Sequence, residues 1–260
     1  MNIIETSALG KRYRRKWALR DCTLAIPGGH IVALVGPNGA GKTTLLSTAV
    51  GLTRPSEGSV AVLGGTPAGS PEALDRIAFV AQDAPLYGNL PVRDMLRVAR
   101  NLNHRWDQAR AEDRLERLEI PLGQRVRELS GGQKAQLALT IALARRPALL
   151  VLDEPLAALD PVARDDFLAS VVEAAREEPI SVVLSSHVLA ELERVATYLI
   201  VLTRGQVRIS GTTKELLDTH GAGLEEIAMR QLRAGGPASR TEPPRKDTAR
   251  KDTARMDTGK

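Results

Sequence analysis

The feature that most constrains the fold is an eight-residue glycine-rich segment between two apolar stretches. It consists of Gly36, Pro37, Asn38, Gly39, Ala40, Gly41, Lys42 and Thr43. It follows a short strand-like run, 31–35, and precedes a helix-like stretch, 43–50. This arrangement is typical of a loop whose backbone N–H groups surround phosphate oxygens, with Lys42 reaching the β and γ phosphates and the Thr43 hydroxyl holding Mg²⁺. The segment therefore predicts a nucleotide-binding strand–loop–helix unit.

A second informative segment is the apolar run 148–152 and the two carboxylates that follow it, Asp153 and Glu154. A buried strand that ends in this pair can deliver Asp153 to a metal ion and let Glu154 polarise a water for attack on a γ phosphate. By itself, such a pair is more often a surface turn. Together with the glycine-rich loop it favours a nucleotide site.

Short apolar runs alternate with helix-like segments along the body of the chain. Further runs cover 77–80, 149–152, 180–184 and 198–202, and such runs are typical of parallel strands buried on both faces. The charge-rich stretch 92–118 has apolar residues at helical spacing and predicts a separate helical lobe. The pattern predicts an α/β core with a helical insertion.

Composition excludes several classes of protein. The longest apolar runs are about five residues, far below the 18 or more that cross a bilayer, so we expect no membrane span. The N-terminal residues lack the apolar core of a secretory signal. Cys22 is the only cysteine, which excludes an internal disulfide framework and a Cys-based zinc site.

The net charge of +5 lies mostly in the C-terminal segment. Residues 237–260 carry seven Lys or Arg and four Asp or Glu, and a five-residue repeat there offers almost nothing apolar to bury. We expect a disordered basic tail over 233–260. A second basic run lies at 11–16, but few aromatic residues are available to stack on bases, so no direct nucleic-acid binding is expected.

The segment Leu129-Ser-Gly-Gly-Gln133, about 20 residues before the carboxylate strand, completes an ordered set of motifs. With this set the chain resembles the ATP-binding subunit of ABC transporters, from about Ile3 to Leu217. The resemblance implies a P-loop NTPase core with a mainly parallel sheet, an N-terminal antiparallel β portion and an inserted helical lobe. Since Gly and Pro residues break any regular pattern after Leu232, we expect one ATPase domain over 1–232, with the lobe at about 83–140.

Leu129–Gln133, called here the signature segment, opens a predicted helix. Small residues and free N–H groups at a helix N-terminus form an anion site. Since the chain already has its own phosphate loop, a second anion site indicates the ATP of a partner. By resemblance, two chains pack head to tail, and the signature segment of one closes on the γ phosphate held by the other.

Other roles are implied by the resemblance alone. Gln82 stands where the family has a glutamine that contacts Mg²⁺ and the attacking water, and His187 where it has a switch histidine that contacts the γ phosphate. Asp160 matches an aspartate that crosses the dimer interface. Tyr13 stands where the family has an aromatic that stacks on adenine, and Trp17 competes for that role.

The resemblance thus implies three sets of site residues. The catalytic residues are Lys42, Gln82, Glu154 and His187. The Mg²⁺ ligands are Thr43, Gln82 and Asp153. The ATP contacts come from Tyr13, the loop residues Gly36 to Thr43, Thr44, Asp160 and the signature residues Ser130, Gly131, Gly132 and Gln133.

The chain departs from the family pattern at four positions. Leu156 and Ala157 replace the usual Thr and Ser, and Gln136 and Ile141 stand where arginines are frequent. None removes a group expected to touch phosphate, metal or water, so activity should survive.

We expect an ATPase subunit that binds ATP and Mg²⁺, forms a homodimer or pairs with a paralogous ATPase subunit, and powers a separate integral membrane permease. It would lie in the cytoplasm on the inner face of the membrane. The short segment after His187 resembles bacterial export-type systems. The alternatives are a soluble ABC-type ATPase acting on nucleic acid, ribosomes or cluster assembly, and a nucleotide-binding regulator without turnover.

Overall fold

Ten strands form two sheets in the computed structural model, which describes residues 1–82 and 85–234. In chain order the strands are β1 (Asn2–Tyr13), β2 (Lys16–Pro27), β3 (Ile31–Val35), β4 (Glu57–Val62), β5 (Thr66–Pro67), β6 (Ile77–Val80), β7 (Leu149–Leu152), β8 (Ser181–Ser186), β9 (Tyr198–Thr203) and β10 (Gln206–Thr212). The helices are α1 (Lys42–Ala49), α2 (Pro71–Arg76), α3 (Val92–Leu102), α4 (Gln108–Arg117), α5 (Gly131–Ala144), α6 (Pro161–Glu177), α7 (Thr213–His220) and α8 (Leu224–Ala234). Short 3-10 helices cover Val126–Glu128 and Leu189–Glu191.

The two sheets differ in strand direction. The first is antiparallel, in the order β2-β1-β4-β5, and comes mostly from the N-terminal part of the chain. The second has the order β10-β9-β3-β8-β7-β6 and is parallel from β9 to β6, with only β10 antiparallel at one edge. The predicted α/β fold, with a mainly parallel sheet and an N-terminal antiparallel portion, is confirmed.

The parallel strands are apolar throughout because both faces of their sheet are covered. In β7, Leu150 and Leu152 pack with α6 and α8 on one face, while Leu149 and Val151 pack toward α1 and the antiparallel sheet on the other. All four residues are fully buried. This double burial explains why the strand sequence shows no alternation of polar and apolar residues.

The helices α3, α4 and α5 share a third apolar cluster, separate from the two that cover the parallel sheet. Its centre contains Val92, Leu96, Leu115 and Leu137. The helix-spaced apolar residues of the charge-rich stretch are therefore the inner face of a helical unit inserted between β6 and β7.

Most of the sequence-predicted strands agree with the structure to within two residues. The runs at 31–35, 77–80 and 149–152 are β3, β6 and β7, and the run at 180–184 begins one residue early and ends two residues before the end of β8. Among the described helices, none has both the length and the apolar character needed to cross a membrane. The predicted basic tail lies outside the described residues, apart from its first two positions, which end α8.

Candidate functional site

The phosphate loop joins the end of β3 to the start of α1, and two of its glycines are fixed by close packing. A Cβ on Gly36 would lie 2.1 Å from the carbonyl oxygen of Leu202, so a side chain has no room there. Gly41 has φ +108° and a Cβ would lie 2.6 Å from the carbonyl oxygen of Ala18. Both positions require glycine, and they set the loop against β9 and β2 with its backbone turned toward a cleft.

Lys42 is the first residue of α1, and its side chain is almost fully buried, at 5% exposure. Its ammonium donates to the carbonyl oxygen of Gly36 over 2.7 Å and lies 3.0 Å from a carboxylate oxygen of Glu154. A buried ammonium needs such partners, because leaving it unpaired in a low-dielectric site is costly. The phosphate loop and the carboxylate strand are therefore in direct contact through this one side chain.

Asp153 and Glu154 follow β7 at the carboxyl edge of the parallel sheet, as the sequence predicted. Asp153 is buried and accepts a hydrogen bond of 2.6 Å from the Ser185 hydroxyl. The same hydroxyl accepts from the backbone N–H of Glu154 over 2.8 Å. Glu154 has φ +48°, a strained conformation for a residue with a side chain. The strain turns its carboxylate away from the strand and toward Lys42.

Glu154 also contacts His187, which follows β8. The His187 ring nitrogen Nδ1 lies 2.9 Å from one carboxylate oxygen, and Lys42 contacts the other. Burial alone raises the pKa of Glu154, but the hydrogen bonds from His187 and Lys42 and the positive charge of Lys42 outweigh it and hold the pKa below its usual value. Glu154 is thus ionised at neutral pH and can accept a hydrogen bond from a water.

A cleft of about 490 Å³ brings most of the predicted ATP-binding residues together. Its lining residues are Tyr13, Lys16, Trp17, Ala18, Asn38, Gly39, Ala40, Gly41, Lys42, Thr43, Thr44, Gln82, Glu154, Ala157 and His187. The loop and α1 form one wall, Glu154 and His187 another, and the hairpin between β1 and β2 the mouth. Tyr13 and Trp17 both line the mouth, so the geometry leaves both as candidates for stacking on a base.

The signature segment does not face this cleft. Ser130, Gly132 and Gln133 line a different surface depression of about 580 Å³, together with Asp160. Ser130 caps α5 by accepting from the N–H of Gln133, whose side chain in turn accepts from the N–H of Ser130. A single chain therefore keeps its two predicted anion sites on separate surfaces.

Close packing joins the signature segment to the start of α6. A Cβ on Gly132 would lie 2.9 Å from the Cβ of Ala163, so the two helix N-termini approach each other closely. Asp160 caps α6 by accepting from the N–H of Ala163 over 2.9 Å. The two termini consequently present one continuous surface.

Sequence reasoning missed Ser185, which holds both carboxylate residues in place. A signal was present, because β7 and β8 are parallel neighbours with Leu152 opposite Leu184, so the next residue of β8 stands beside Asp153. Asp153 directly follows β7 and Ser185 lies near the end of β8, so the parallel alignment of these strands predicts such a contact.

Sequence reasoning also missed the partner of Gln136. This buried residue accepts a hydrogen bond of 3.0 Å from Arg114 of α4 and donates to Ser170 of α6 over 3.2 Å. Burial lowers the pKa of Arg114. Gln136 stands where an arginine is frequent in the family, yet a guanidinium still lies beside the signature helix because Arg114 reaches it from α4. The sequence of α5 alone could not reveal this contact. Three other residues also depart from the family pattern. Ile141 packs against the apolar cluster of α3, α4 and α5, Leu156 is buried, and Ala157 lines the cleft.

Two of the three predicted Mg²⁺ ligands line the cleft. Thr43 and Gln82 line the cleft, whereas Asp153 is buried behind Glu154 with one oxygen bonded to Ser185. Among the described residues, no group of three His, Cys, Asp or Glu side chains could hold a metal by itself. A hydroxyl, an amide oxygen and a carboxylate oxygen are nevertheless the hard donors that suit Mg²⁺ bound together with phosphates.

These features define a class: a P-loop ATPase whose parallel sheet positions a phosphate loop and a carboxylate pair, with a helical insertion that carries a separate signature segment. Residues 19–157 match the family described as ABC transporter. The chain belongs to this family and is an ATP-binding subunit, an ATPase coupled to transport.

Relatives of known role agree with this assignment. The chain is 32% identical to the thiamine import ATP-binding protein ThiQ of Chelativorans sp. (strain BNC1), over 84% of this chain and 91% of that protein. It is 35% identical to the molybdenum import ATP-binding protein ModC of Mesorhizobium japonicum, over 85% of this chain and 61% of that protein. Both names specify import, so the expectation of an export-type system is not confirmed.

Solved structures of the family share the fold. The ATP-binding subunit of an ABC transporter superposes with a TM-score of 0.76 at 29% identity, over 88% of this chain and 99% of that one. CbiO1 from Clostridium perfringens, described as part of the ABC transporter complex cbiONQ, gives a TM-score of 0.73 at 25% identity, over 90% of this chain and 97% of that one.

Proposed function

We propose that two copies of the chain, or one copy and a paralogous ATPase subunit, bind two MgATP between them and hydrolyse them to power a membrane permease. The observation that supports this proposal is the separation of the two anion sites. The phosphate loop and Glu154 share one cleft, whereas Ser130 and Asp160 lie at another depression. A second chain brings the signature segment to the open side of the cleft.

Within one chain, the phosphate loop binds and orients the nucleotide. Backbone N–H groups at the start of α1 surround the phosphates, favoured by the positive end of the helix dipole. The Lys42 ammonium lies 3.0 Å from a carboxylate oxygen of Glu154 and exchanges part of this contact for the β and γ phosphates when ATP binds. ATP binding therefore frees the Glu154 carboxylate from one of its cations.

The freed Glu154 orients a water for in-line attack on the γ phosphate, and His187 keeps the carboxylate in place through its 2.9 Å contact. Gln82, at the edge of the cleft, contacts the same water. Thr43, Gln82 and Asp153 would hold Mg²⁺, which would supply positive charge beside the phosphate oxygens. Lys42 and the Ser130 hydroxyl of the second chain offset the charge that develops on the transferred group.

The permease is a separate integral membrane protein, and the chain lies at the cytoplasmic face of the membrane through it. CbiO1, which shares the fold, belongs to a multi-component transporter complex, which supports such an assembly. The names of ThiQ and ModC favour import as the direction of transport. The soluble alternative without a permease has no observation in its favour.

The test is the mass of the Glu154→Gln chain with and without MgATP, measured by light scattering during gel filtration. Removing the carboxylate charge while keeping its shape should block turnover and leave ATP bound, so we expect a dimer with MgATP and a monomer without it. The matched control is Glu193→Gln, an exposed carboxylate on the segment after His187, which should hydrolyse ATP and therefore show no lasting dimer. A Glu154→Gln chain that binds MgATP and remains monomeric contradicts the proposal.

A further inference from the structure

A chain of polar contacts joins two loops beside the cleft: the loop before α6, which contains Asp160, and the loop after β8, which contains His187. Its centre is an ion pair between Arg164, in the first turn of α6, and Glu191, in the short 3-10 helix after His187. The distance from the Arg164 Nη1 to the Glu191 Oε1 is 2.7 Å, and the two side chains are 35% and 17% exposed.

Arg164 holds the Asp160 loop with its second donor. Its Nε donates to the backbone carbonyl oxygen of Leu159 over 2.9 Å. Because the guanidinium is planar and rigid, the positions of Leu159 and Glu191 are fixed relative to each other. The loop is also tied to α6 by the Asp160 cap, so α6 and the loop move together.

Glu191 holds the His187 loop with its second carboxylate oxygen. This oxygen accepts a hydrogen bond of 3.0 Å from the hydroxyl of Ser186, which is buried. The same hydroxyl accepts from the backbone N–H of Val188 over 3.0 Å. The residues on both sides of His187 are thus fixed, and His187 contacts Glu154 over 2.9 Å.

We propose that Arg164 and Glu191 are positioning residues that transmit the position of the Asp160 loop to His187 and from there to Glu154. The inference rests on the proposed function, in which the Asp160 loop meets a second chain. Docking of that chain displaces the loop, Arg164 and Glu191 carry the displacement, and His187 then sets the Glu154 carboxylate for water attack. Turnover becomes conditional on dimer formation, so one chain alone hydrolyses ATP slowly.

A purely structural role predicts a different outcome. A partly exposed ion pair contributes little to stability, so its loss should shift the unfolding midpoint by only a few degrees and leave turnover unchanged. Coupling between the loops predicts a loss of turnover at nearly constant stability. The two roles are therefore separable by kinetics.

The test measures ATPase kinetics of Glu191→Gln, Arg164→Met and the double variant in the full chain. We expect each single change to lower kcat about 10-fold with KM within twofold, because neither residue lines the nucleotide cleft. The double variant should be no worse than either single one, since both break the same connection. Arg164→Lys, which keeps the charge but loses the rigid fork, should recover only part of kcat.

The matched control is the pair Arg194 and Asp165, which joins the same two parts of the chain over 3.9 Å with side chains 83% and 74% exposed. Arg194→Met and Asp165→Asn should leave kcat unchanged. Unchanged kcat in the Arg164 and Glu191 variants, or losses that multiply in the double variant, would overturn the inference. Because Gln has nearly the same shape as Glu, the Glu191→Gln chain should fold normally even if the Arg164→Met chain is destabilised.

Dimer formation separates this inference from the proposed function. In the Glu154→Gln background, adding Glu191→Gln should still give a dimer with MgATP, because the interface residues are intact. If the Glu154→Gln chain dimerises and the Glu191→Gln chain has a normal kcat, the coupling is refuted and the proposed function is still supported. If the Glu154→Gln chain itself forms no dimer, the proposed function fails and this inference fails with it.

Discussion

The phosphate cleft and the signature surface differ in how their polar groups are satisfied. In the cleft, Lys42 and His187 each bond to the carboxylate of Glu154, and the side chains of Lys42 and Glu154 are nearly buried. At the signature surface, the side chains of Ser130 and Gln133 each accept a hydrogen bond from the backbone N–H of the other at the helix N-terminus, and Ser130 is exposed. The charged groups of the cleft are thus paired within the chain, whereas Ser130 lies at an exposed helix N-terminus.

This difference explains how one fold can separate binding from hydrolysis. In the proposed function, the cleft exchanges internal partners for phosphate when ATP binds within a single chain. The signature surface, at the N-terminus of α5, then acts only when another chain supplies a phosphate.

Glu154→Gln should remove turnover almost completely while ATP binding remains. General-base groups contribute about 10²–10⁴-fold to rate, so we expect kcat to fall by at least about 100-fold. The check is steady-state phosphate release, with nucleotide affinity measured in parallel by calorimetry. A variant with more than a tenth of the normal kcat would show that the cleft does not depend on Glu154.

Lys42→Ala should weaken ATP binding, because it removes the only ammonium in contact with both the loop and Glu154 among the described residues. A charge-assisted hydrogen bond contributes about 1.5–3 kcal/mol, so the affinity should fall about 10-fold or more. Lys214→Ala, on the exposed face of α7, is the control and should bind ATP normally. If Lys42→Ala and Lys214→Ala bind ATP equally well, Lys42 does not bind the phosphates and the assignment of the phosphate loop is wrong.

Ser130→Ala should lower kcat about 10-fold and leave the affinity of one chain for ATP unchanged, because Ser130 lies outside the cleft. Loss of the helix cap should cost about 1 kcal/mol of stability. Ser70→Ala is the matched control, since Ser70 caps α2 in the same way, accepting from the N–H of Ala73 over 3.3 Å. If both variants lose only stability, the signature surface has no role in turnover.

The smallest predicted effect is on stability at acid pH without nucleotide. The pKa of Glu154 is lower in the folded chain than its usual value of 4.5, so the ionised carboxylate stabilises the fold above pH 4.5. This contribution is lost as the pH falls through the folded-state pKa. The difference in unfolding free energy between the native chain and Glu154→Gln should therefore shrink between pH 6 and pH 3, as followed by urea denaturation. With Glu193→Gln the corresponding difference should stay small throughout.

Much of the fold could be predicted because its signals are local. The strands β3, β6 and β7 are apolar on both faces, and the glycines of the phosphate loop have no room for side chains, so their sequence shows their structure directly. The signature helix was predicted from its small first residues, and the structure adds that Ser130 and Gln133 cap it.

The missed contacts are those that cross between distant segments. Arg114 reaches Gln136 from another helix, and Ser185 reaches Asp153 from the neighbouring strand. The Arg114 contact has no local signal, and the Ser185 contact can be predicted only once β7 and β8 are known to be neighbours, because the tertiary fold decides which segments pack together. The strained backbone of Glu154 was hidden for the same reason, since its φ of +48° depends on its contacts with Ser185, Lys42 and His187.

The central claim, that one chain's signature segment closes on another chain's phosphate loop, can be tested directly by disulfide formation. Asn38→Cys lies in the exposed part of the loop, and Gly131→Cys lies at the start of α5, where an added Cβ meets nothing closer than 3.8 Å. Burial raises the pKa of the native thiol, Cys22, to about 11, so it should not compete.

The measurement mixes the two variants in the Glu154→Gln background and follows crosslinked dimer on non-reducing gels. We expect a crosslink only in the mixture and only with MgATP, with neither variant forming one alone. A MgATP-induced dimer that yields no crosslink in the mixture would contradict the account, because the signature segment would then not lie over the phosphate loop of its partner.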